Sequence, residues 1–154
     1  MIAVCAGVRT SELADHQRGR FAGIDQTYAL TAGEAYVVLA VGIWETILQV
    51  LVRDDDGLPI WCPAGLFDIE TQQMPAHWEF SLDEGVGASG PDLWTRWVAR
   101  WGYPEVVRDP AHSDALMERD PHALEIFARE LQQRERDLLA PDSSRDQDGQ
   151  SRGP

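Results

Sequence analysis

Cys62 stands beside Trp61 and fifteen residues before His77, and a thiol served by an imidazole is the chemistry of a nucleophilic hydrolase. Two carboxylate pairs, Asp68 with Glu70 and Glu79 with Asp83, invite a second chemistry in which one group acts as acid and the other as base. Neither pattern is specific. Cysteine is among the most buried residue types, and residues two apart on a strand share a face, so Asp68 and Glu70 can both point to water. Nothing in the sequence shows the desolvation that would drive two carboxyl pKa values apart. The four histidines, His16, His77, His112 and His122, lack metal-ligand spacing. Asp54-Asp55-Asp56-Gly57 offers hard oxygen atoms but neither the alternating ligands nor the distal Glu of a calcium loop. There is no Gly-x-Ser-x-Gly, phosphate loop or dinucleotide fingerprint. The expectation is a protein that is not an enzyme and uses no metal or cofactor.

Charge points instead to binding. The stretch 54–92 holds nine carboxylates (Asp54, Asp55, Asp56, Asp68, Glu70, Glu79, Asp83, Glu84, Asp92) and no Lys or Arg. Formal charge is −1 over 1–53 (four Arg, five acids), −9 over 54–92 and −3 over 93–154 (nine Arg, twelve acids), which sums to the net −13. Trp61, Phe67, Trp78 and Phe80 are interleaved with these acids. An acidic surface edged with aromatics suits a basic protein partner and repels nucleic acid and anionic membranes. The expected partner-binding residues are Trp44, Asp54, Asp55, Asp56, Trp61, Asp68, Glu70, Glu79, Asp83 and Glu84.

The elements that must position these residues are short. At 154 residues the chain is long enough for one domain with its own core, plus tails. Cys5 and Cys62 are far apart and outside any Cys-x-x-Cys pairing, which fits a reducing cytoplasm. All thirteen cations are Arg, so the chain offers bidentate donors and no amine nucleophile among its side chains. The apolar run 35–52 is broken by Gly42, Glu45 and Gln49 and has the composition of paired strands rather than of a membrane helix.

Residues 1–25 show no sustained period and are expected to form a loosely held arm. Strands are expected at 27–31, 36–41, 46–53, 58–61, 66–71 and 77–82, with Gly42-Ile-Trp-Glu45 as a loop that leaves Trp44 near its tip. Asp-Gly at 56–57 supplies the positive φ of a tight hairpin turn. Leu93, Trp94, Trp97, Val98 and Trp101 are spaced for one face of a short helix that Gly102-Tyr-Pro104 stops. Asp109-Pro110 and Asp120-Pro121 each begin a helix, with Asp as cap and Pro at the first helical position. The second should turn Leu124, Phe127, Ala128, Leu131 and Leu138 to a core and run to about Leu139. The polar tail 140–154 is expected to be disordered. The fold class is α+β: a small twisted antiparallel barrel or curled sheet of five to six strands over 26–83, followed by helices over 92–139 in the same 26–139 domain.

Tyr28-x-Leu-x-x-Gly-Glu-x-Tyr36 and Asp56-Gly-Leu-Pro-x-Trp-x-Pro-x-x-Leu-Phe-Asp68 together resemble a Src-homology-three-like barrel. That resemblance implies a peptide groove lined by aromatics, with Tyr28, Trp61 and Pro63 as its candidates. With the segment from Arg108 to Phe127, residues 26–130 also resemble small bacterial proteins, some of which sit beside secreted toxins and act as their immunity partners. What this implies is a cytoplasmic protein that occludes the basic cleft of a toxin domain, and a homodimer is compatible with it. Two other readings stay open: a nucleic-acid mimic that inhibits a bacterial defence complex, and a small hydrolase using paired carboxylates.

Overall fold

The computed structural model describes residues 1–18, 24–70, 74–82 and 97–139. Among the described residues eight strands form two antiparallel sheets. They are β1 (Ile2–Cys5), β2 (Ala35–Val37), β3 (Ala40–Trp44), β4 (Ile47–Arg53), β5 (Pro59–Pro63), β6 (Phe67–Ile69), β7 (Glu79–Leu82) and β8 (Trp97–Gly102). The smaller sheet has the order β2-β1-β6 and the larger β5-β4-β3-β8-β7. A short helix α1 (Asp15–Arg18) follows β1, and α2 (Pro104–Arg108), α3 (Pro110–Met117) and α4 (Pro121–Leu139) end the described chain. The class is α+β, with antiparallel sheets followed by helices.

The larger sheet is the middle layer, because its alternate residues belong to two different cores. Val50, Val52 and Cys62 pack with Ala3, Cys5, Tyr36 and Phe67 of the smaller sheet. Leu51, Trp61 and Trp97 pack with Val106, Leu116, Phe127 and Leu131 of the helices. A strand buried on both faces should be nearly all apolar, and in β4 only Leu48 and Arg53 are exposed. Each fully buried Leu or Phe contributes about 2–3 kcal/mol.

Local rules hold best where one residue decides the turn. Gly57 has φ 84°, the Asp54 amide donates to the Leu58 carbonyl at 2.8 Å, and the Asp54 carboxylate accepts from the Leu58 amide at 2.7 Å. Asp109 caps α3 by accepting from the Ala111 amide at 2.9 Å. Asp120 does the same for α4, accepting from the His122 and Ala123 amides at 3.0 Å. On α4 the core face is Ala123, Ile126, Phe127 and Leu131, whereas Ala128 and Leu138 are exposed, so the expected stripe was rotated.

Four expectations are corrected. Residues 1–25 are not a loose arm throughout: β1 is the central strand of the smaller sheet, with Ala3 and Cys5 buried between its neighbours. Its inner positions are small residues, so the alternation is easy to overlook. The segment 27–31 forms no ladder and makes one isolated bridge, Arg9 with Thr27, while Tyr28 and Leu30 fill the core. Gly42 is not a loop residue. It sits inside β3, paired with Gln49 and Arg100, where a Cβ would meet the Trp97 ring at 2.5 Å, and the turn falls at Glu45-Thr46, where Glu45 has φ 56°.

The fourth correction concerns the tryptophans. Residues 97–102 are strand β8, not helix, and Pro104 opens α2 instead of ending a helix. A spacing of four is even and therefore suits a strand face as well as a helix face. A bulge opposite Ile43/Trp44 then turns Trp97 to the helix side, leaving Trp101 with Phe80 on the other. Leu93 and Trp94 lie outside the described residues, as do 140–154.

Candidate functional site

The hairpin between β4 and β5 carries Asp54, Asp55 and Asp56 to the end of the larger sheet, next to β2 and the last third of α4. There a groove of about 470 Å³ is lined by Glu34, Tyr36, Arg53, Asp54, Asp55 and Glu135, with Leu131 and Gly57 among its walls. Four carboxylates face one guanidinium, so the lining is formally −3 (−4 from the acids, +1 from Arg53). Arg53 sits 3.6 Å from Glu135, with both side chains open to solvent.

Asp55 is fixed by neutral donors. The Tyr36 hydroxyl donates to Oδ1 at 2.6 Å and the Thr31 hydroxyl to Oδ2 at 2.7 Å. Its own amide donates to the Ala29 carbonyl at 2.9 Å. These hydroxyl bonds hold the carboxyl below its usual pKa, and burial together with the bond to Asp55 pushes the Tyr36 phenol up to about 12. The Tyr36 oxygen also accepts from the Thr31 amide at 2.7 Å. The carboxylate is thus oriented without being neutralised, which leaves its charge available to a cation from outside.

The remaining expected residues are dispersed. Glu79, on β7, is clamped by Arg108 of α2: the guanidinium Nε donates to Oε2 at 2.7 Å and Nη2 to Oε1. β7 and β5 are opposite edges of the larger sheet, about 19 Å apart over four strand spacings, so Glu79 does not join the hairpin acids. Asp68 and Glu70 are exposed along β6 and its end, where they lie on the other side of β1 from the groove. Asp83 and Glu84 lie outside the described residues.

Trp61 is not an interface residue. It is 9% exposed and packs at 4.3 Å from Trp97, which in turn meets Trp44 at 5.1 Å. β5 pairs on β4 with Trp61 opposite Leu51, so the side chain points under the helices. Trp44 ends β3 directly before the Glu45-Thr46 turn, but its side chain is half-buried against the same core. The peptide-groove candidates implied by the barrel resemblance, Tyr28, Trp61 and Pro63, are all buried.

Cys62 and His77 do not form a nucleophile and its base. The Cys62 thiol is fully buried and burial pushes its pKa far up, whereas His77 is exposed. Among the described residues no group of three or more His, Cys, Asp or Glu is placed to hold a metal ion, and no helix is long and apolar enough to cross a membrane. Glu34, Tyr36, Arg53 and Glu135 were not among the expected site residues. Glu34 and Tyr36 had a signal in the Gly-Glu turn, but nothing local could bring Glu135 beside Asp55. Comparison with protein-family models, curated proteins and solved structures returned no match to this chain.

Proposed function

We propose that this is a non-enzymatic, acidic binding protein that takes a basic segment of a protein partner in the groove beside the Asp-Gly hairpin. The observation that carries the reading is the convergence of Glu34, Asp54, Asp55 and Glu135 on one open concavity of about 470 Å³, against Arg53 as its cation. A Lys or Arg side chain entering it exchanges water for charge-assisted hydrogen bonds to carboxylates already in place. The surrounding net charge of −13 speeds encounter with a cationic surface and repels polyanions.

The biological role that fits this chemistry is immunity: occlusion, in the cytoplasm, of the basic cleft of a secreted bacterial toxin domain. Two buried cysteines without a disulfide suit that compartment. The test is calorimetric titration of the full chain with an arginine-rich nonapeptide and with a cationic toxin domain, at several salt concentrations. Binding that weakens as salt rises, and that is lost in the fourfold variant Glu34→Gln, Asp54→Asn, Asp55→Asn, Glu135→Gln, supports the proposal. Unchanged affinity in that variant overturns it.

A further inference from the structure

The outer edge of β6 offers a second surface, separate from the hairpin groove. In an antiparallel ladder, hydrogen-bonded and non-bonded pairs alternate. The Glu70 amide donates to the Ile2 carbonyl at 3.1 Å and the Ala6 amide to the Leu66 carbonyl at 2.8 Å, so Leu66, Asp68 and Glu70 turn their backbone toward β1. Phe67 and Ile69 turn theirs away from it. The Phe67 amide closes a short turn onto the Ala64 carbonyl. The Phe67 carbonyl and both backbone groups of Ile69 have no hydrogen-bond partner among the described residues.

Along this edge runs a groove of about 540 Å³ whose lining includes Phe67, Asp68 and Ile69 of β6, Leu48 of β4 and His16 of α1. Leu48 is 49% and Ile69 37% exposed, an apolar lip beside a strand edge that has no partner among the described residues. Side chains divide by face. Ile69 and Phe67 share the face of Ala3 and Cys5, toward the groove and core, whereas Asp68 shares the opposite, solvent face of Val4, and Glu70 follows it there.

We infer that β6 accepts an extended segment of a basic protein partner as a fourth strand, with the alternation basic-apolar-basic. The residue opposite Ile69 exchanges both backbone hydrogen bonds with it and sends an aliphatic side chain over Ile69 and Leu48. Its two neighbours fall opposite Asp68 and Glu70, on their face, where Arg or Lys pairs with an unneutralised carboxylate. A second copy of this chain does not fit the edge. Two-fold pairing about Ile69 would set Asp68 against Glu70 of the other copy, and like charges directly opposite are destabilising.

The experiment is amide NMR of the full chain titrated with the capped peptide Arg-Val-Arg-Val-Arg. Shifts at Phe67–Glu70 and Leu48, with exchange of the Ile69 amide slowed about tenfold, are expected. Methylating the peptide nitrogen of a valine removes one cross-strand hydrogen bond and should weaken binding about tenfold. Asp68 and Glu70 are exposed, so the double variant Asp68→Arg, Glu70→Arg keeps the fold, and it should prefer Glu-Val-Glu-Val-Glu. No binding, equal binding of the methylated peptide, or shifts confined to the groove residues Glu34 to Asp55 would overturn the inference. The last result would leave the hairpin groove standing as the sole basic-segment site.

Discussion

Asp55 and Glu79 come from the same cation-free stretch of sequence and end in opposite electrostatic situations. Asp55 is held by two hydroxyl groups, so it is rigid and still charged toward solvent. Glu79 is held by Arg108, so it is rigid and cancelled. The difference shows that a run of acids sets the sum of charge but not the field: that depends on whether the fold supplies neutral donors or a guanidinium at each carboxylate.

The contrast breaks most visibly in binding. Neutralising the four groove positions should weaken the arginine-rich peptide about a hundredfold at low salt, whereas Glu79→Gln should leave its affinity unchanged. Equal losses in both variants would mean that only total charge matters. Next in size is Tyr36→Phe, which removes the donor to Asp55 and the acceptor of the Thr31 amide. It should lower unfolding free energy by about 1–3 kcal/mol in urea titrations.

The same variant has a pH signature. Because the folded Asp55 pKa lies below its unfolded value of 3.8, its contribution is present above that pH and lost as pH falls through the folded pKa. Tyr36→Phe should flatten this acid limb. A separate, higher window belongs to His112, whose ring accepts or shares a 2.7 Å hydrogen bond with the Tyr103 hydroxyl in the helix-side core. Burial lowers its pKa from 6.5, so the unfolded chain binds the proton first and stability falls as pH drops through 6.5. His112→Gln should remove that limb and leave the lower one. The smallest effect is expected from Arg108→Gln, where an exposed pair is cut. Urea midpoints should barely move, because exposed ion pairs contribute little, while a new salt-sensitive attraction for basic peptide appears at Glu79.

What was legible in the sequence was what a few neighbouring residues decide. Asp54 to Gly57 and the two Asp-Pro starts carry their geometry within four residues, and the structure has them where expected. The misplaced parts depend on distant partners. Ala3 and Cys5 look unremarkable until β2 and β6 close on either side. Trp97 and Trp101 share a face by counting and lose it to a bulge forced opposite Trp44. The groove is the same case: its hairpin half was visible, but Glu135 reaches it only because α4 packs its Leu131 face over the sheet.

The bulge has an optical consequence. By sending Trp97 between Trp44 and Trp61 it brings three indoles together, one pair edge-on at 5.1 Å and the other tilted at 4.3 Å, across strands β3, β5 and β8. Indoles this close couple their electronic transitions, so the ultraviolet dichroism of the cluster reports whether these three strands remain in register. The Asp54–Gly57 turn and the lining of its groove contain no indole, and a ligand seated there would leave that signal untouched while the chain unfolding beneath it would erase it.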